Sequence, residues 1–156
     1  MASYFKTSEF DSRLEPGSGS KMNKEFLAKL NKARELYGKP MQVTSGFRVR
    51  ADYDRLKKQG YEVSMTSAHF IGRAVDIRPA SGVMDSWEEW EAFLEAMWDA
   101  GFRRFGIMAN TLHVDDDPTK RSPASWQYKN TDAKIYAAVL AWMVQKRRGE
   151  KARPKR

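Results

Sequence analysis

Three stretches of the sequence place apolar residues three and four positions apart, which is the pattern of a helix with one buried face. Two of these stretches, those after Asn23 and after Ser86, begin at a residue that caps helices well and end at a glycine. A fourth stretch is short and polar but has helical length. The predicted helices run between Asn23 and Gly38, over residues 51–59, between Ser86 and Gly101, and from Thr131 onward.

Short runs rich in β-branched and aromatic residues lie between these helices and predict strands. Polar residues alternate with apolar residues in these runs, as expected for a sheet that buries one face. Together the elements predict an α+β domain. The predicted strands are Met41–Ser45, a segment after Gly72 that contains Val75 and Ile77, residues 102–108 and residues 111–114, with a loop over residues 118–130.

Composition agrees with a single globular domain. The chain has 156 residues, 41% of them hydrophobic and 31% charged, and no apolar run approaches the length of a membrane span. There is no cysteine, which excludes disulfides and thiol nucleophiles. No N-terminal segment resembles the apolar part of a signal peptide, so synthesis in the cytoplasm without unaided secretion is expected.

Basic residues are concentrated near the C-terminal end. Residues 146–156 contain seven of the 28 lysines and arginines and one acid, so they contribute +6 of the total +8. We therefore divide the chain into a domain, residues 1–145, and a basic tail, residues 146–156. Such a tail is usually solvated and flexible. It could attract anionic envelope polymers or lipids, or contact nucleic acid without specificity, but no nucleic-acid module is recognisable.

The two histidines of the chain lie in contexts that suit metal binding. His69 precedes Asp76 by seven residues with Gly72 between them, and His113 lies in a β-like run two residues before Asp115. Neighbouring strands could bring Asp76 and His113 together while His69 arrives from a loop. Two imidazoles and one carboxylate form a three-ligand set typical of catalytic zinc, with a fourth position left for water. A lone histidine is more often structural, but the combined order and spacing favour a metal site.

A resemblance to a known family rests on three motifs: Ser45-Gly46-Phe47-Arg48, Ser67-x-His69-x-x-Gly72-x-Ala74-x-Asp76 and His113-x-Asp115. They resemble the zinc D-Ala-D-Ala metallopeptidases, which include D-alanyl-D-alanine carboxypeptidases and the L-alanyl-D-glutamate endopeptidases of phage endolysins. The resemblance covers the chain from Tyr4 to Tyr128. It implies a hedgehog/DD-peptidase-like α+β fold, in which helices pack on a small antiparallel sheet, and a zinc ion held by His69, Asp76 and His113.

The resemblance also implies roles for other residues. Arg48 would hold the substrate carbonyl or the tetrahedral oxyanion, and Ser67 would contact the substrate. Several branches of the family carry an acidic catalytic base three positions before the final histidine, whereas this chain has Asn110 there, and an amide cannot act as that base. Asp115 is the candidate replacement: it would either shuttle the proton or orient the ring of His113.

These expectations describe a monomeric zinc peptidase that cleaves peptidoglycan stem peptides. It would be a D-Ala-D-Ala carboxypeptidase or an L-Ala-D-Glu endopeptidase, in a phage or prophage lysin that acts at the cell wall after release or on the virion. One alternative is a virion or wall-binding structural protein that retains a weakly active or inactive site, an alternative that Asn110 keeps open. Another is a nucleic-acid binder that relies on the basic tail.

Overall fold

The computed structural model describes residues 3–152, which form four α-helices, a five-stranded sheet and three 3₁₀ helices. The α-helices are α1 (Lys24–Tyr37), α2 (Arg50–Lys58), α3 (Trp87–Asp99) and α4 (Ala133–Ala152). The strands are β1 (Met41–Ser45), β2 (Ala74–Pro79), β3 (Arg104–Ile107), β4 (Leu112–Asp115) and β5 (Ala124–Gln127). The 3₁₀ helices are Thr7–Phe10, Ser18–Lys21 and Ala68–Ile71. The fold is α+β, as the sequence pattern predicts.

Side-chain caps explain where α1 and α3 begin. Asn23 Oδ1 accepts a hydrogen bond from Phe26 N at 2.9 Å, and Ser86 Oγ accepts one from Glu89 N at 3.3 Å. Gly38 follows α1 with a φ of 76°, a left-handed conformation that few other residues adopt, and it ends the helix. The predictions for these two helices, and for the short α2, are confirmed.

The sheet has the strand order β1-β2-β4-β3-β5. The first four strands in this order pair antiparallel, but β5 pairs parallel to β3. The sheet is therefore mixed and not purely antiparallel. The prediction of a loop over residues 118–130 is wrong where β5 lies, because only Trp126 in this four-residue strand has a strong strand preference.

One face of the sheet forms the hydrophobic core. Val75, Val114 and Phe105 lie side by side on β2, β4 and β3, and all three are fully buried. Helices α1, α3 and α4 contribute to the same core, where Trp98 and Trp142 pack against Phe105. Because side chains alternate along a strand, the intervening residues point to the opposite face, which we call the site face.

Helix α4 continues beyond the predicted domain boundary at residue 145. Lys146 forms an ion pair with Glu95 of α3, and Glu150 accepts a hydrogen bond from Arg103 Nε at 2.8 Å. Residues 146–152 therefore extend the last helix and do not begin a separate tail, whereas residues 153–156 lie outside the described residues. Within residues 3–152, no helix combines the length and the apolar character needed to cross a membrane.

Candidate metal centre and its cleft

The register of the sheet aligns the central residues of the site. Asp76 on β2 lies opposite His113 on β4, and His113 lies opposite Gly106 on β3. Gly106 in turn lies opposite Trp126 on β5. Residues paired across neighbouring strands share a face of the sheet. These four residues therefore form one line across the site face, which we call the metal row.

His69 reaches the metal row from the 3₁₀ helix Ala68–Ile71, which directly precedes β2. Ser67 caps this turn, because its Oγ accepts a hydrogen bond from His69 N at 3.3 Å. Gly72 ends the turn with a φ of 71°, and a Cβ at this position would lie only 2.7 Å from Lys21 O. The glycine of the motif is therefore required by both its backbone conformation and its close packing.

Three buried side chains direct one atom each toward a common point. Asp76 Oδ1 lies 3.2 Å from His69 Nε2 and 3.0 Å from His113 Nδ1. The three potential ligand atoms all lie within 4.8 Å of one another. None of the three residues is more than 7% exposed. The structure thus brings the three predicted ligands together in a group that could hold a metal ion.

The outer nitrogen of each imidazole donates a hydrogen bond to the protein. His69 Nδ1 donates to Gly46 O at 2.7 Å, and His113 Nε2 donates to Asp115 Oδ2 at 2.8 Å. In a neutral ring, each of these bonds leaves the inner nitrogen free of a proton and able to bind a metal. Two imidazole nitrogens and one carboxylate oxygen match the donor set of a zinc site that keeps a fourth position open.

Burial and neighbouring charges shift the pKa values of these groups in different directions. Burial lowers the pKa of His69, which favours its neutral form. Burial also acts to lower the pKa of His113, but hydrogen bonds to Asp115 and Asp76 outweigh it, so the pKa of His113 is raised. Burial acts to raise the pKa of Asp76, yet the two histidines hold it well below its usual range. A proton that competes with a metal ion therefore binds first at His113.

Arg48 lies beside the three potential metal ligands, where the motif predicts it. Its Nη2 pairs with Asp76 Oδ2 at 3.0 Å, and its Nε donates to Ser45 Oγ at 3.0 Å. Its backbone N–H donates to His69 O at 3.2 Å. The guanidinium is thus fixed next to the ligand carboxylate, and it lines the cleft where its remaining donors can meet a bound group.

Asp115 lies behind the His113 ring and not at the point where the three ligand atoms meet. Its Oδ2 accepts the His113 hydrogen bond, while its Oδ1 accepts from Arg104 Nε at 2.7 Å and from Asp117 N at 3.2 Å. The residue is only 1% exposed. This geometry matches the ring-orienting alternative. A proton shuttle would need a carboxylate on the open side of the centre, and Asp115 does not occupy that side.

An aromatic wall lies beside His113, formed by two residues that the sequence placed in a loop at the rim of the site and not on a strand. The ring centroids of Trp126 and Tyr128 lie 5.5 and 6.3 Å from that of His113. Both rings lie over Gly106, where an added Cβ would come within 2.6 Å of Tyr128 Cε2. Arg104 stacks on Trp126, with its Cζ 4.9 Å from the ring centroid. The parallel pairing of β5 with β3 creates this wall, and so short a strand leaves no periodic signal in the sequence.

The candidate metal centre opens into a cleft with a volume of about 1130 Å³. This volume is slightly above the range typical of sites for small molecules, so the cleft can accept a short peptide. Arg48 and Ser67 both line it, as does Asn110 from the turn between β3 and β4. Asn110 Oδ1 accepts a hydrogen bond from Thr111 Oγ1 at 3.1 Å. The structure therefore presents an amide at the rim where related enzymes are expected to carry an acid.

Comparison with protein families shows which family the chain belongs to. The model of the family Peptidase M15 matches residues 3–115, more than half of the chain, and the match includes His69, Asp76 and His113. The chain belongs to the Peptidase M15 family. This membership confirms the resemblance predicted from its motifs.

One solved structure to which this M15 peptidase is similar is the crystal structure of Serratia marcescens L-Ala D-Glu endopeptidase ChiX. The two share 23% sequence identity with a TM-score of 0.44. The similarity covers 52% of this chain and 62% of that chain, so the M15 peptidase spans less than two thirds of the length of that structure. A comparison with curated proteins finds no match.

Proposed function

We propose that this M15 peptidase is a zinc-dependent peptidoglycan hydrolase that cleaves stem peptides. The observation that carries the proposal is the convergence of His69 Nε2, Asp76 Oδ1 and His113 Nδ1 within 4.8 Å at the floor of a peptide-sized cleft. Family membership supports peptide hydrolysis. The resemblance of the motifs to those of the D-Ala-D-Ala metallopeptidases supports a cell-wall substrate.

Zinc suits this donor set. When bound, it would polarise the scissile carbonyl and lower the pKa of a water molecule, so that hydroxide is available to attack that carbonyl. His69, Asp76 and His113 would hold the ion. Arg48, already fixed against Asp76, would direct its guanidinium at the carbonyl oxygen as negative charge develops there. Ser67 Oγ accepts from the backbone, so its hydroxyl hydrogen remains available for a substrate contact from the cleft wall.

Asp115 would act by orienting His113. Its carboxylate is fixed by Arg104 and accepts a hydrogen bond from the outer ring nitrogen. This bond keeps the inner nitrogen directed at the point where the three potential ligand atoms converge. Burial acts to raise the pKa of Asp115, but the hydrogen bonds from His113 and Arg104 lower it overall. The carboxylate thus stays ionised and continues to accept both bonds.

Two bonds of the stem peptide fit this proposal. A D-Ala-D-Ala carboxypeptidase would cut before the terminal D-Ala, and an L-Ala-D-Glu endopeptidase would cut before a D-Glu whose γ-carboxyl continues the chain. The setting we propose for either activity is a monomeric phage or prophage lysin. It would be made in the host cytoplasm and would act on the wall after release or on the virion.

The basic end of the chain would bring the enzyme to its substrate. Arg147 and Arg148 are exposed on α4, and residues 153–156 add three more basic residues. Positive charge concentrated at one end attracts anionic wall polymers or lipid surfaces. We assign the basic residues this role in place of nucleic-acid binding, because no nucleic-acid module accompanies them.

A second candidate function is a wall-binding or virion protein whose zinc-peptidase site is weakly active or inactive. Asn110 favours this candidate, because its amide lies at the cleft rim where a catalytic acid is expected from the resemblance. Such a protein would bind sacculi and retain the metal without turnover.

Purified sacculi distinguish the two functions. Zinc-loaded wild type should release fragments with new amino termini, which mass spectrometry would assign to one stem-peptide bond. His69→Ala should release none, and the exposed variant Lys58→Ala, outside the metal centre, should behave as wild type. Bound zinc without cleavage of any wall type would contradict hydrolysis and favour the second function.

A further inference from the structure

A second row of side chains lies next to the metal row on the site face. It contains Arg78 on β2, Thr111 just before β4 and Tyr128 just after β5, each two residues from a member of the metal row. Backbone hydrogen bonds continue the pairing here, because Met108 N donates to Thr111 O at 3.1 Å and Tyr128 N donates to Ile107 O at 2.9 Å. Alternate residues share a face. Accordingly, all three side chains of this second row line the cleft.

Arg78 is the charged member of the second row, and nothing in the row neutralises it. Its Nε donates to Gln42 Oε1 at 3.0 Å, which steadies the guanidinium without removing its charge. Thr111 is neutral, and burial raises the pKa of Tyr128, so that its phenol stays protonated. Among the residues that the structure describes, no carboxylate lies within ion-pairing distance of Arg78.

Most other cations that line the cleft are already paired. Arg48 binds Asp76 at 3.0 Å, and Arg104 binds Asp115 at 2.7 Å. Further from the metal row, the remaining pairs are Arg55 with Asp52 and Lys120 with Asp117. Across the described part of the cleft, the cations without a carboxylate partner are Arg13, Arg78 and Lys129. Of these, Arg13 and Lys129 are exposed residues outside the sheet, whereas Arg78 is half-buried in its floor.

The proposed substrates carry an anion at the matching place. In both stem-peptide bonds, the D-residue that supplies the scissile nitrogen keeps a free α-carboxylate. That group lies one residue from the scissile carbonyl, about 3.5 Å along the chain. Neighbouring rows on the site face are separated by two residues of strand, about 6.6 Å. A long arginine side chain can bridge the remaining distance and bind a carboxylate with two parallel hydrogen bonds.

We propose that Arg78 is a specificity-determining residue that binds this α-carboxylate, an inference that rests on the proposed function. The cleft thereby selects peptides in which the carboxyl group is free over those in which it is amidated. A carboxamide would bring its own N–H donors against the guanidinium and would lose the charge-assisted hydrogen bonds. The enzyme would then act best on walls whose D-residue at this position is unamidated.

Paired peptides test this inference by binding and by cleavage. The probes are N-acetyl-L-Ala-D-Glu with its γ-carboxyl blocked and N-acetyl-L-Lys-D-Ala-D-Ala, each compared with its α-carboxamide. Binding to the metal-free protein is measured by calorimetry, and cleavage by the zinc-loaded protein is measured separately as kcat and KM. The variants are Arg78→Gln, Arg78→Lys and, as a matched loss of charge in the cleft, Arg13→Gln.

For at least one pair, wild type should bind the acid about tenfold more tightly than the amide, the size expected for a hydrogen bond to a charged group. Arg78→Gln should abolish this preference mainly through KM, Arg78→Lys should restore part of it, and Arg13→Gln should retain it. If Arg78→Gln keeps the wild-type preference for the acid over the amide, or if wild type shows no such preference, the proposed role of Arg78 is overturned. Cleavage of the probes would still establish hydrolysis. If wild type neither binds nor cleaves any probe, the proposed substrate class and this inference both fail.

Discussion

The two histidines of the candidate metal centre turn different ring nitrogens inward. His69 uses Nε2 and His113 uses Nδ1, and in each case the other nitrogen is bonded to the protein. The partner of His69 is a backbone carbonyl, which substitution of a side chain cannot remove. The partner of His113 is the carboxylate of Asp115, so the orientation of this ring depends on a single side chain.

Replacing Asp115 with alanine tests that dependence. We expect Asp115→Ala to bind zinc about 10–100-fold more weakly, the usual effect of losing a partner that orients a metal ligand. Competition with a chromophoric chelator measures the affinity, and Asp54→Ala, which removes an exposed acid on α2, should change nothing. Unchanged zinc affinity together with lost cleavage would instead support Asp115 as a proton shuttle.

The raised pKa of His113 makes a second prediction, for the dependence of zinc affinity on pH. Zinc must displace a proton from His113 Nδ1, because the ring donates to Asp76 from that atom when it is charged. The proton is held up to a pH above the ordinary histidine value of 6.5. As the pH falls through the pKa of His113, zinc affinity should drop by up to about tenfold per pH unit.

Chelator titrations between pH 5 and 8 would reveal this drop, and its onset should lie above pH 6.5. The neutral form of His69 is favoured by burial, so its protonation should add a second loss of affinity only at lower pH. An affinity that stays constant down to pH 5 would show that His113 does not bind the metal through Nδ1.

Individual residues were predictable to different degrees. The three potential ligands could be read from the sequence because their spacing matches a specific motif and the chain has only two histidines. The role of Asp115 could not, because strand alternation places it on the same face as His113 without indicating which side of the ring it approaches. Arg78 belongs to no motif, and the role we propose for it depends on a feature of the fold: no carboxylate of residues 3–152 lies within ion-pairing distance of it.

At the scale of secondary structure elements, the site depends on a close contact between β3 and the aromatic wall of Trp126 and Tyr128. Gly106 makes this contact possible because it has no Cβ. Gly106→Ala would place a methyl group 2.6 Å from Tyr128 Cε2 and should destabilise the protein by about 1–3 kcal/mol through overpacking. The displaced rings should also loosen the packing around His113 and weaken zinc binding.

Denaturant unfolding of the metal-free protein measures the stability change, and chelator competition measures zinc binding. Gly149→Ala is the matched control, since an added Cβ at this position in α4 meets no atom within 4 Å. Alanine favours the helix there and should stabilise it by up to about 1 kcal/mol. Equal stability of the two variants would mean that the aromatic rings can yield without cost.

The predictability of an element followed the strength of its local signals. Helices α1 and α3 combine a capping side chain with a long apolar stripe, so their boundaries were accessible. Strand β5 consists of four residues, and its neighbour β3 lies about twenty residues earlier in the chain. Its parallel pairing with β3 depends on long-range contacts, which a local sequence pattern does not indicate.

Over the whole molecule, positive charge is concentrated at one end of α4. The sequence suggested a solvated tail from residue 146, because a run of basic residues usually has no fixed contacts. The structure instead pairs Lys146 with Glu95 and Glu150 with Arg103. The overall α+β class was accessible from the alternation of patterns along the chain, whereas these contacts required knowing that α3 and α4 lie side by side.

Charge removal at this end tests the proposed attraction to the wall. Arg147→Gln, Arg148→Gln and Lys151→Gln together lower the net charge from +8 to +5 and leave both ion pairs of α4 intact. We expect the triple variant to elute from an anionic wall polymer at lower salt than wild type. Its cleavage of a small soluble peptide should be unchanged, and equal elution would contradict the proposed role of the basic end.

The most direct test of the account is the zinc content of the purified protein after loading and removal of excess metal. Native mass spectrometry should find a single zinc ion on the wild-type chain, and it should find none retained by His69→Ala, Asp76→Asn or His113→Ala under the same conditions. These three variants should remain folded by circular dichroism. A wild type that retains no zinc, or variants that retain it equally, would contradict the assignment of these residues as a metal centre.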